Sequence, residues 1–113
     1  MLLEITHREL RPGTTLVSLA GSVMRGPESA EIEALTSELL KKGCRRLIFD
    51  LTGVKRIDST GIGRFIAALN SAQQAGADLR MASGPGYVRD CFRVTRLDTI
   101  FPFFPDPDAA AAD

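Results

Sequence analysis

One histidine, two cysteines and no long apolar run are what this chain has in short supply, and each shortage closes off a class of function. His7 is the only imidazole, so a serine nucleophile elsewhere would have a single candidate base. It falls in the first strand-like stretch, where it reads as a surface or rim residue. Cys44 and Cys91 lie far apart with no Cys-x-x-Cys, which gives neither zinc-site spacing nor a redox pair. Two free, buried thiols in a reducing cytoplasm account for them. No stretch approaches the ~18 apolar residues of a membrane span, and Met1-Leu2-Leu3-Glu4 lacks the basic start of a secretory signal. Fourteen Lys and Arg balance fourteen Asp and Glu. They never gather into a block of five or six, which speaks against nucleic acid or an anionic membrane as a partner. Phosphate-binding glycine loops are missing too: Gly61-x-Gly63 has Ile66 where a third glycine belongs, and no Gly-x-x-x-x-Gly-Lys occurs. With no base, metal spacing or nucleotide cradle, the expectation is a protein that is not an enzyme and takes no cofactor.

What is present suits one globular domain spanning residues 1–113. The chain is 44% apolar, enough for one hydrophobic core at this length. Residues 2–10 and 14–22 alternate as strands do, and Arg11-Pro12-Gly13 between them is a turn, so the chain opens with a hairpin. From Pro27 to Lys42 the spacing turns helical, with Ile32, Leu35 and Leu39 on one face and Lys41-Lys42-Gly43 at the negative end. "RRLIFDL" (45–51) carries the continuous triplet Leu47-Ile48-Phe49 of a strand buried on both faces. After the loop "TGVKRID", residues 60–75 place Ile62, Phe65, Ile66 and Leu69 at helical intervals, and Gly76 stops the helix. A short strand at 77–82, a third helix with Val88, Cys91 and Phe92 inward, and an extended "TIFPFFPD" complete the series. The fold class is α/β: a mixed sheet of four to five strands with helices packed over it, in the order ββαβαβα. Phe101, Phe103 and Phe104 are expected to dock on the core, and residues 105–113 to be a flexible tail.

The stretch "DSTGIG" (58–63) lies past the carboxyl end of a central strand and at the amino end of a helix, where α/β proteins collect functional groups. Asp58 and Ser59 suit a helix cap, and a cap alone would explain them. Gly61 and Gly63 do not fit that account, because each costs about 1 kcal/mol in a helix relative to alanine. Missing β-carbons would let another backbone, or a partner's side chains, approach the Ser59 hydroxyl. A helix start also tolerates added negative charge, so phosphate on Ser59 would fit locally.

"LAGS" closing the hairpin, "LIFDLTGV", "DSTGIG" and "VRDCFRVTRLDTIFPFF" together resemble the STAS family of anti-sigma factor antagonists, over residues 2 to about 104. Asp-Ser-Thr-Gly-Ile-Gly after an apolar strand is the specific part. The resemblance implies a STAS-like fold and a partner switch. The unmodified domain binds an anti-sigma factor that is itself a serine kinase, and so frees a sigma factor; phosphorylation of Ser59 releases it, and a phosphatase restores it. It implies supporting roles for Asp58, Thr60, Gly61 and Gly63, with Thr60 the fallback acceptor. The implied partner face joins Ile62 and Arg64 of the helix to Arg56 and to the loop at Met24, Arg25 and Gly26. The free protein is expected to be a monomer. Where relatives often carry a Leu-Asp pair, this chain has Val23-Met24-Arg25-Gly26, which removes an acidic contact. Lys55 and Arg56 stand where many relatives are apolar, and read as solvated charges or as partners of a phosphate. The alternative to the switch is a scaffold or accessory subunit of a signalling or lipid-transport complex, in which Ser59 is only a cap.

Overall fold

Leu3–Arg11 (β1) and Thr14–Val23 (β2) form the opening antiparallel hairpin, turning at Pro12 and at Gly13, whose φ of 84° favours glycine. A computed structural model describes residues 2–112. After the hairpin come α1 (Pro27–Lys41), β3 (Arg46–Ile57), α2 (Ser59–Gln74), β4 (Asp78–Ala82) and α3 (Tyr87–Val94). A single 3-10 turn at Leu97–Thr99, β5 (Phe103–Phe104) and α4 (Pro107–Ala111) follow. The five strands lie side by side in sequence order, β1-β2-β3-β4-β5, with only the β1–β2 pair antiparallel. This is the expected mixed sheet, with the expected ββαβαβα order extended by β5 and α4.

Alternation along the strands sends two sets of side chains to opposite faces. On one face Val17, Leu19, Leu47, Phe49, Leu79 and Met81 meet Ile32 and Leu39 of α1, Phe65, Ala68 and Leu69 of α2, and Val88 and Phe92 of α3. Edge-on rings run through this core, Phe49 to Phe65 at 5.3 Å and Phe92 to Phe101 at 5.4 Å between centroids. Leu16, Ile48 and Ala82 point the other way and are covered by Ala110 of α4. β3 is therefore buried on both faces where Leu47-Ile48-Phe49 predicted it.

Two segments differ from the expectation. "TGVKRID" is not a loop: β3 runs on to Ile57, because Leu51, Val54 and Ile57 are buried and β2 pairs with it through Val23 opposite Ile57. Nor are residues 105–112 a loose tail, and Asp113, the last residue of that expectation, lies outside the described residues. Asp106 caps α4 by accepting from the Ala109 N–H at 2.8 Å. Arg80 donates to the carbonyls of Ala110 and Ala112, both at 2.9 Å, and Arg46 and Arg11 reach the Ala111 carbonyl. Arginines thus satisfy the last carbonyls of a five-residue helix that could not persist alone. Of the phenylalanines of the closing segment, Phe101 is fully buried, and Phe103 and Phe104 are half-buried on opposite faces of the sheet. Cys44 and Cys91 are half-buried, not buried as expected.

Candidate functional site

β2 and β3 run parallel, so both reach the same end of the sheet, and the helices that follow them start side by side. This topology brings Met24-Arg25-Gly26, between β2 and α1, next to Asp58-Ser59, between β3 and α2.

Asp58 joins the two segments. Its backbone is extended, with φ −113° and ψ −176°, as an N-cap requires, and its Oδ1 accepts from the Gly61 N–H at 2.8 Å. The other oxygen, Oδ2, accepts from the Arg25 N–H at 3.0 Å. One carboxylate therefore caps α2 and ties down the loop. The Gly61 amide, followed by that of Arg25, holds the Asp58 carboxyl below its ordinary value of 3.8. With both oxygens already accepting from backbone amides, the carboxylate is placed to orient its surroundings.

Ser59 is the first helical residue and is exposed, and its hydroxyl makes no hydrogen bond to protein among the described residues. Thr60 is half-buried, one position deeper. Gly61 is buried because a β-carbon there would land on the Val23 carbonyl oxygen and lie 2.8 Å from the Val23 carbonyl carbon. Gly63 is exposed, with nothing within 4 Å of the place its β-carbon would take. Ile62 is half-buried and packs against the core.

Arg64, read from the sequence as a partner contact, is held by its own chain. Its Nε donates to the Ser29 hydroxyl at 3.1 Å, and Nη1 pairs with Glu33 at 3.1 Å. Ser29 in turn donates to the Gly26 carbonyl at 3.2 Å. Arg64 thus straps the start of α1 to α2. Ser29 and Glu33, which sequence reasoning missed, complete the strap. Met24 and Arg56 do share a surface, a shallow hollow of about 450 Å³ lined also by Lys55, Ile57 and Tyr87. Tyr87 was not foreseen; it stands 56% exposed at the start of α3 and donates to the Ile57 carbonyl at 3.3 Å. Arg25, Lys55 and Arg56 are exposed and have no ion-pair partner among the described residues. The site is therefore an exposed hydroxyl on a fixed helix start, with a basic rim and a bare glycine beside it.

His7 is exposed on β1, outside this site. No group of three or more His, Cys, Asp or Glu that could hold a metal occurs among the described residues, and no described helix is long and apolar enough to cross a membrane.

The STAS domain family model matches residues 7–110. A Bordetella bronchiseptica protein, BtrV, whose assignment as an anti-sigma factor antagonist is itself provisional, is 26% identical over 97 residues, covering 86% of this chain and 84% of BtrV. Among solved structures, an anti-sigma factor antagonist from Mycobacterium paratuberculosis superposes with a TM-score of 0.80 at 20% identity, covering 96% of this chain and 90% of that one. The Bacillus cell fate determinant SpoIIAA in its phosphorylated form gives 0.72 at 16% identity, over 94% of this chain and 96% of the other. At these identities the structures establish a shared fold.

Proposed function

The chain belongs to the STAS domain family, and from that premise we propose that it is a cytoplasmic, non-enzymatic anti-sigma factor antagonist whose switch is Ser59. In the unmodified state it binds an anti-sigma factor kinase and so releases a sigma factor. Phosphorylation of Ser59 ends that binding, and a phosphatase renews it. The observation that carries this reading is the exposed, unpartnered Ser59 hydroxyl at the head of α2, beside the open side of Gly63. A cap alone does not require that arrangement, because Asp58 already caps the helix.

The energetics suit an off switch. Phosphate adds about −1.5 to −2 charges. On the free protein the helix start and its exposed surroundings tolerate that charge. Buried against a partner, it would cost several kcal/mol unless a cation met it, and ~2.7 kcal/mol already weakens binding a hundredfold. Met24, Arg25, Gly26, Arg56 and Ile62 supply the rest of the face, and Arg64 and Asp58 hold it in place. Thr60 is the fallback acceptor.

Intact mass with site mapping, on protein taken from its native cell under two growth conditions, tests this directly. A phosphate on Ser59 whose occupancy changes with condition is expected. A chain unmodified in both, or modified elsewhere, would overturn the switch and leave a STAS scaffold in which Ser59 is a helix residue only.

A further inference from the structure

We propose that β1 is a self-association edge, along which two copies of this chain pair antiparallel in the register that sets Thr6 of one copy opposite Thr6 of the other. The sheet has two edges, and they are unlike. β5 is two residues long, whereas β1 spans nine, and its pairing with β2 is unbroken from Leu3 to Glu9 before the irregularity at Arg11. Proteins commonly blunt such an edge with a bulge, a proline or a lysine. Between Leu3 and Glu9 there is no bulge, proline or lysine, and the charges it carries, Glu4, Arg8 and Glu9, are of mixed sign and can pair with a second copy. A regular ladder of backbone donors and acceptors therefore faces outward.

The pattern of side chains selects the partner. Leu3 and Ile5 pack on the helix-bearing face and Leu10 on the other, so Glu4, Thr6 and Arg8 lie with Leu10. A two-fold axis perpendicular to the sheet keeps each face on its own side, so residues directly opposed must share a face, and the register can move only in steps of two. Centring on Ile5 sets Glu4 against Thr6, and centring on His7 sets Thr6 against Arg8; neither makes an ion pair. Centring on Arg8 opposes two arginines. Centring on Thr6 sets Glu4 against Arg8 twice, Ile5 against His7 twice and Leu3 against Glu9 twice, all within the regular part of the strand. Neither Glu4 nor Arg8 has an ion-pair partner in its own chain among the described residues. Directly opposed unlike charges are favourable, and like charges are not.

The helix-bearing face supplies a second reason. Between β1 and α1 lies a groove of about 500 Å³ lined by Leu3, Ile5 and His7 of the strand and by Pro27, Glu28, Glu31 and Leu35 of the helix. In this register Ile5 of the second copy stands across from His7, on the face where the groove is open. The edge thus carries backbone and charge complements to itself. The Ser59 face is built from other elements, so this proposal stands apart from the switch.

Sedimentation equilibrium on the full chain, from micromolar to millimolar concentration, decides it, with circular dichroism to confirm that each variant is folded. A weak, concentration-dependent dimer is expected, as a small interface implies. Glu4→Arg alone, or Arg8→Glu alone, should raise the dimer dissociation constant by about tenfold or more, because each replaces both unlike pairs with like ones. The double variant Glu4→Arg/Arg8→Glu should recover it to within about threefold, since the unlike pairs return with their signs exchanged. A wild-type chain that stays monomeric throughout overturns the proposal. So does a dimer indifferent to the single reversals, or a double variant as weak as the singles.

Discussion

Gly61 and Gly63 occupy one turn of one helix, and the fold treats them in opposite ways. Gly61 faces inward, where the end of β2 passes so close that the Val23 carbonyl fills the space of its missing side chain. Gly63 faces outward into open solvent, and nothing in its own chain uses the space it leaves. Both weaken the helix by a similar amount. For Gly61 the cost is offset within the molecule, since the close approach sets β2 and its loop against the start of α2. For Gly63 no such gain exists in the free protein, and under the proposed function it lies in what the surface meets.

The largest effect should come from Gly61→Ala. The new methyl meets backbone, which cannot swing aside as a side-chain tip can, so the end of β2 must shift. A loss of about 3 kcal/mol is expected in urea unfolding, after the helix-propensity gain is included. A neutral result would mean that the junction between β2 and α2 is loose, and the comparison would fail. Gly63→Ala should go the other way, raising stability by about 1 kcal/mol, because the position is open and helical. If it also weakens binding of the anti-sigma factor while leaving the unfolding transition cooperative, the contrast between the two positions is confirmed from both sides. Destabilisation by Gly63→Ala would instead place a hidden structural role there.

The division between what the residues announced and what they hid follows the range of the interactions. α1 and α2 were legible because Ile32, Leu39, Phe65 and Leu69 repeat at helical spacing and all face the core. Leu47-Ile48-Phe49 announced a central strand in the same way. By itself "TGVKRID" reads as a loop, yet β3 takes the first six of its seven residues; β2 extends the strand by pairing with it, and pairing cannot be seen in one stretch alone. α4 was invisible for a related reason: the arginines that hold its carbonyls sit about 30 or more residues away. At the site, Ser59, Asp58 and the two glycines could be named from their spacing, whereas the strap from Arg64 to Ser29 and Glu33 links two helices and leaves no local pattern. The same strap fixes Arg64 between the two helices beside Ser59.

The smallest predicted effect separates the two tasks of Asp58, which span the inward and outward sides that the glycines define. Its two oxygens accept two different amides, Gly61 within α2 and Arg25 in the loop. Asn keeps only one acceptor oxygen, so Asp58→Asn retains the cap or the loop tether but not both. At neutral pH the variant should melt a few degrees below the wild type. The sign of the pH dependence follows from the depressed folded value: the unfolded chain takes up its proton first, so the stabilisation is complete above the ordinary value of 3.8 and is lost as the pH falls through the lower folded one. Thermal unfolding of the two proteins should therefore differ by a constant amount from neutrality down to about pH 5, and the curves should converge below about pH 4. Convergence is expected because a protonated carboxyl, like the amide, keeps one good acceptor oxygen and turns its other atom into a donor. A gap that persists unchanged into acid would mean that the charge of Asp58 contributes nothing, and that shape alone holds the loop beside Ser59.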